Sequence, residues 1–233
     1  MCGGSRRHDF DTFGTKCSLK RAAGYMGVKM ENNAVGLEIE SYPFDPVLPN
    51  GASVMMMGTF PPKEDKRAMQ FHYPNFQNDM WRVYGLVFFN DAAHFQMPSE
   101  KAFDGCRIRD FLNRAGIASC PTVLKAAREH GNASDKFLKV VETVDLAAVL
   151  AKIPRCRHIC TTGGKATEIL LDIQGGGIKM PKTGETVPFP FAGRDLTLTR
   201  LPSTSRAYPL SLEKKTAAYR AFFEMAGLCE KQL

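Results

Sequence analysis

Ser53-Val54-Met55-Met56-Met57-Gly58-Thr59-Phe60-Pro61-Pro62 is the stretch that decides the fold. Its first five residues form a short, continuous apolar run, the pattern of a central strand buried on both faces of a parallel sheet. Gly58 ends the run, and Pro61 with Pro62 keeps the ladder from continuing. A second stretch far down the chain repeats the arrangement: Asp195 to Leu201 alternates as a strand and is followed by Pro202-Ser203-Thr204-Ser205-Arg206. Loops that leave the carboxyl ends of parallel strands line the ligand crevice of an α/β sheet. Two such loops can therefore meet across one site.

The remaining elements follow from periodicity and caps. Glu38 to Asn50 is Pro-rich and reads as an irregular lead-in. Helices are expected over Gln77–Phe89 and Lys101–Ala115, then over Asp135–Glu142 with Ser134 as N-cap, and from Asp145 through Ala151. His158–Thr161 reads as a strand running into Gly163-Gly164 and a helix over Lys165–Asp172. Gly175 to Gly193 reads as a hairpin or excursion. Ser211 caps a last helix to Ala226, stopped by Gly227. This order predicts an α/β fold: a three-layer α/β/α sandwich around a central, mainly parallel sheet. Residues 1–29 are expected to be a basic, flexible segment, with a single domain over 30–233.

Composition narrows the partners. A formal charge of +7 favours a polyanion. No apolar run approaches the roughly 18 residues that a transmembrane helix needs, so no membrane partner is expected. Seven cysteines, an odd number, do not read as a disulfide framework and favour a reducing compartment. The expected location is the cytoplasm, associated with the nucleoid. Residues 1–29 carry Arg6, Arg7, Lys16, Lys20, Arg21 and Lys29 against Asp9 and Asp11, a bias that organellar transit peptides share.

Several constellations are candidates for chemistry. Cys156, His158 and Cys160 alternate, but their spacing matches neither a zinc nor an iron-sulfur pattern, so buried thiols and no metal are expected. Thr162-Gly163-Gly164-Lys165 lacks both nucleotide-binding spacings and reads as a tight strand-to-helix turn. His72, His94 and His130 have no mutual ligand spacing. Lys63 and Lys66 read as an exposed basic loop rather than as Schiff-base nucleophiles. Ser203, Thr204 and Ser205, with Arg206 for charge and Tyr208 beside them, suit a grip on phosphates. Between the two loops lies Asn75-Phe76-Gln77-Asn78-Asp79-Met80-Trp81, with the only tryptophan. A carboxamide such as that of Asn78 offers both donor and acceptor and can orient a water, although Asn at a helix start is also a common N-cap.

Together these motifs resemble the uracil-DNA glycosylase superfamily over about Tyr42 to Ala226. Gly58-Thr59-Phe60-Pro61 is similar to its first motif, and Leu201-Pro202-Ser203-Thr204-Ser205 to its second. Asn78-Asp79-Met80-Trp81 resembles the Asn-x-Phe-Trp element of the mismatch-specific uracil and hypoxanthine-DNA glycosylase branches. His158 to Leu170 is similar to the strand-Gly-helix unit before the second motif. The resemblance implies a monofunctional DNA glycosylase that flips a deaminated base, uracil first and hypoxanthine second, and hydrolyses its N-glycosidic bond without a cofactor. It implies catalysis by Asn78 with help from Asp79, and a base pocket of Gly58, Thr59, Phe60, Pro61, Tyr73, Met80 and Trp81. DNA would be held by Ser203, Thr204, Ser205, Arg206 and Tyr208, by a protein acting as a monomer.

Two positions depart from the pattern. Phe60 stands where several branches carry a water-activating Asp or Asn. Met80 stands where the base-stacking aromatic is, so either Phe60 stacks or the pocket differs. The alternative readings are a non-catalytic nucleic-acid-binding protein on the same fold, and a hydrolase of free nucleosides.

Overall fold

The computed structural model describes residues 38–128 and 138–228. The basic segment 1–29, His130 and the Ser134 cap lie outside the described residues. Five strands build the main sheet: β2 (Val54–Gly58), β3 (Ile117–Pro121), β6 (His158–Thr162), β7 (Thr186–Phe191) and β8 (Arg194–Leu201). Their order is β3-β2-β6-β8-β7, parallel throughout except for the antiparallel β7–β8 hairpin at one edge. A second, antiparallel sheet joins β1 (Ile39–Ser41), β4 (Val123–Arg128) and β5 (Leu138–Thr143) in the order β1-β4-β5.

The apolar run at Val54 does what a central strand requires. Val54 and Met56 pack into one core with α1 (Met80–Phe89), α2 (Gly105–Ala115) and α5 (Leu212–Met225). Met55 and Met57 pack into the other, with α3 (Leu146–Lys152) and α4 (Gly164–Gln174). All four side chains are fully buried. Burial of each stabilises the fold by roughly 1.5–3 kcal/mol. Helices therefore cover both faces, and the three-layer α/β/α expectation holds.

Caps set the helix ends. Asp145 Oδ1 accepts from Ala148 N at 2.9 Å, and Ser211 Oγ from Lys214 N at 3.4 Å, both as expected. Two starts fall later than periodicity suggests. Asp104 caps α2 by accepting from Arg107 N, so Lys101–Asp104 stays outside the helix. Asn75–Asp79 is held in a turn, Asn78 N donating to Asn75 O, and α1 begins at Met80.

The expected helix over Asp135–Glu142 is corrected: Leu138–Thr143 is strand β5, paired to β4. Its Val140, Val141 and Thr143 are β-branched, which favours a pleated surface over a helix. Three further strands were not anticipated. β1 lies inside the supposed lead-in, and β3 and β4 follow the Gly116 stop as short, mixed segments broken by Pro121 and Thr122.

Candidate active site

The carboxyl ends of β2, β3, β6 and β8 open into one crevice of about 650 Å³. Gly58, Thr59, Phe60 and Pro61 form one wall, and Ser203, Thr204, Ser205, Arg206 and Tyr208 face them. Tyr73 and Asn78 close the third side. Asp79, Met80 and Trp81 do not line it. Met80 and Trp81 are fully buried in the core beneath, where Trp81 Nε1 donates to the His72 carbonyl at 3.0 Å. Phe60 and Tyr73 are thus the rings of the expected base pocket that line the crevice, and Phe60 is held edge-to-face against Tyr42 at 5.9 Å.

Asn78 is fixed from both directions. Its Oδ1 accepts from Met80 N at 2.9 Å, so the carboxamide closes an Asx turn at the entry to α1, whose N-cap position is Asp79. Asn78 also forms an isolated antiparallel bridge with Ser205, and Asp79 N donates to Thr204 O at 2.9 Å. The two loops are therefore joined backbone to backbone. Asn78 Nδ2 makes no hydrogen bond with any described residue.

Asp79 is 6% exposed and surrounded by cations. Lys215 Nζ lies 3.0 Å from Oδ2, Arg206 Nε 3.1 Å from Oδ1, and Arg82 Nη1 3.9 Å from Oδ1. Lys215 also donates to Ser205 O at 2.9 Å. This buried lysine escaped the sequence reading. Its signal was legible: Lys215, Tyr219 and Phe222 recur at helical spacing, which puts the ammonium on the buried face of α5.

Arg128 was missed as well, and it holds the first loop from outside. Its guanidinium bonds Glu40 at 2.7 Å and the Pro61 carbonyl, and lies 5.5 Å from the Phe60 ring centroid. The small antiparallel sheet supplies both Arg128 and Glu40, which gives that sheet a place in shaping the crevice.

Gly58 is needed for space. A Cβ built there would sit 2.5 Å from the Tyr73 hydroxyl, which bonds Thr162 Oγ1 at 2.9 Å. Tyr73 itself has φ 51, a left-handed backbone that few non-glycine residues adopt. Gly58→Ala is expected to push Tyr73 off Thr162 and to cost about 1–3 kcal/mol, the usual penalty for overpacking. A urea-unfolding midpoint measures it, and Tyr73→Phe should recover part of the loss by removing the clashing hydroxyl.

His72 is a satisfied internal histidine. Its Nε2 faces the Asp45 carbonyl at 3.0 Å and so must donate, leaving Nδ1 to accept from Tyr42 Oη at 2.8 Å. Burial lowers its pKa from 6.5 to about 4; the bond to Asp45 opposes that shift and the nearby Arg109 charge adds to it. Because the folded value is the lower, the unfolded chain takes up the proton first as pH falls. The stability is fully present above about pH 6.5 and is lost towards pH 4, by on the order of 3 kcal/mol. Unfolding midpoints across that range, beside His72→Gln, should show the slope in wild type and a flatter profile in the variant.

The cysteine-histidine trio does not converge. Cys156 packs in one core and Cys160 in the other, while His158 Nδ1 bonds Thr197 Oγ1 at 2.9 Å. Among the described residues no group of three or more candidate ligands could hold a metal ion. Burial pushes the thiols up, Cys156 to about 11 and Cys120 to about 12.

No protein-family model matches the chain, and no curated protein matches it. Among solved structures, the solution structure of a candidate uracil DNA glycosylase from Methanosarcina acetivorans superposes on 81% of this chain and 99% of that one, with a TM-score of 0.55 and 21% identity. The chain has the uracil-DNA-glycosylase-like fold. In that fold the crevice found here lies at the carboxyl edge of the parallel sheet, where ligands of open α/β sheets bind.

Proposed function

We propose that the protein is a monofunctional DNA N-glycosylase that removes a deaminated base, uracil in first place and hypoxanthine in second. The observation that carries the reading is the position of Asn78. It is pinned to the phosphate-gripping loop through Ser205, oriented by its bond to Met80 N, and open to the crevice.

Each wall has a task. Ser203, Thr204 and Ser205 offer hydroxyls, and Arg206 a charge, to the backbone of DNA. Flipping a mispaired nucleotide costs a few kcal/mol, least where pairing is already weak. The flipped base enters beside Phe60, whose face supplies stacking worth about 1–3 kcal/mol per base. Bond cleavage builds positive charge on the sugar and negative charge on the leaving base. The loop from Gly58 to Pro61 stabilises the base, and Asn78 holds the attacking water. Asp79 keeps that geometry: with Lys215, Arg206 and Arg82 around it, it acts as a counter-ion rather than as the base.

One observation favours a second reading. No carboxylate lines the crevice among the described residues, as a non-catalytic nucleic-acid-binding protein on this fold would show. Labelled duplexes containing one uracil or one hypoxanthine, treated with alkali after incubation, separate the two. Strand breaks at the lesion support the glycosylase and rank its bases. Salt-sensitive binding with no breaks on either duplex favours the binder.

A further inference from the structure

We infer that Lys215 is a positioning residue that keeps Asp79 neutralised, and so leaves Arg206 able to exchange that carboxylate for a DNA phosphate. The inference rests on the reading of the crevice as a DNA site.

Asp79 is one buried anion facing three cations, and only one of them can move. Lys215 is 1% exposed along its side chain and is bonded to both Asp79 and Ser205 O. Arg82 is 9% exposed. Its guanidinium donates to the carbonyls of Phe76 and Asn78 and lies 4.4 and 5.0 Å from the ring centroids of Phe76 and Phe103, which pack against each other. Moving either would break core packing. Arg206 is 49% exposed, lines the crevice, and reaches Asp79 and Gln77 from outside.

The charge balance decides what Arg206 can do. Arg206 is the half-exposed partner of its pair, so water and a phosphate can replace what it loses on leaving Asp79. Leaving a buried carboxylate unpaired is costly, because nothing then offsets the loss of its hydration. Lys215 removes that penalty, because Asp79 keeps a partner at 3.0 Å when Arg206 departs. Lys215 also retains the Ser205 carbonyl, and the Asn78–Ser205 bridge stays in place. Arg206 can therefore bind phosphate without disturbing the residue that holds the water.

The test is the salt dependence of binding to a fluorescent duplex with a single tetrahydrofuran abasic analogue. In the wild-type background, Arg206→Ala should reduce the slope of log Kd against log salt by about one. Lys215→Met should show the same reduction, because Asp79 then retains Arg206, and adding Arg206→Ala should change the slope no further. Asp79→Asn combined with Lys215→Met should restore the wild-type slope. If Lys215→Met does not fold, Lys215→Gln keeps a donor for Ser205 without the charge and carries the same expectation. An Arg206→Ala effect of equal size in both backgrounds overturns the inference, as does no effect in either, while the DNA reading stands. A wild-type protein with no salt-dependent binding overturns both.

Discussion

Asn78→Ala is expected to slow single-turnover base release by roughly a hundred- to a thousand-fold, the range in which positioned proton-transfer and water-orienting groups act. Stability should fall by only about 1 kcal/mol, the usual net worth of one side-chain hydrogen bond. The two effects come from one side chain, because Asn78 Oδ1 bonds Met80 N while the residue lines the crevice. Asn78→Asp separates them, since a carboxylate keeps the bond to Met80 N and an acceptor for water but loses the amide donor. DNA affinity should change little in Asn78→Ala, which alters no charge. A rate defect matched by an equal loss of affinity would mean that Asn78 serves binding rather than the chemical step.

Asp79→Asn carries the largest expected loss of stability. It strands the Lys215 ammonium in a site where the side chain is 1% exposed, and breaking one side of a buried pair costs roughly 3–5 kcal/mol. For a chain of this size the melting temperature should drop by on the order of 10 °C. Removing both charges together, with Lys215→Met added, should recover most of it, because the buried ammonium is then gone and Arg82 keeps its bonds to the Phe76 and Asn78 carbonyls. A single variant as stable as wild type would show that the Asp79 cluster does not hold the two loops.

The layers of the fold were legible where the chain keeps one period. Ser53–Met57 is too apolar for anything but a buried strand, and Asp145 and Ser211 cap their helices as their residue type suggests. β3 and β4 were not legible, because Ser119, Cys120, Pro121 and Lys125 break any alternation and their pairing is decided by neighbours distant in sequence. Leu138–Thr143 was read with the wrong period: Ser134 as a plausible cap suggested a helix, but β-branched residues and a place beside β4 make a strand.

The crevice follows the same division. The loops after β2 and β8 could be placed from sequence, because proline and small polar residues directly after a strand mark where it ends. Phe60, Tyr73, Asn78 and the Ser203–Arg206 loop come together in the crevice, whereas Met80 and Trp81 lie under it. Their positions depend on how far α1 rotates into the core, which no local pattern sets. Lys215 and Arg128 were missed for a related reason. Each is a cation that matters through what it touches across the fold, Asp79 and the Pro61 carbonyl, at sequence separations of 136 and 67 residues.

The most direct measurement is chromatography of the products formed from a duplex with one uracil opposite guanine, run before any alkali is added. The account predicts free uracil, an unbroken strand that breaks at the lesion only on later alkali treatment, and loss of the free base with Asn78→Ala. An unchanged duplex under conditions where the protein is bound to it, or a strand cut without alkali, would contradict it.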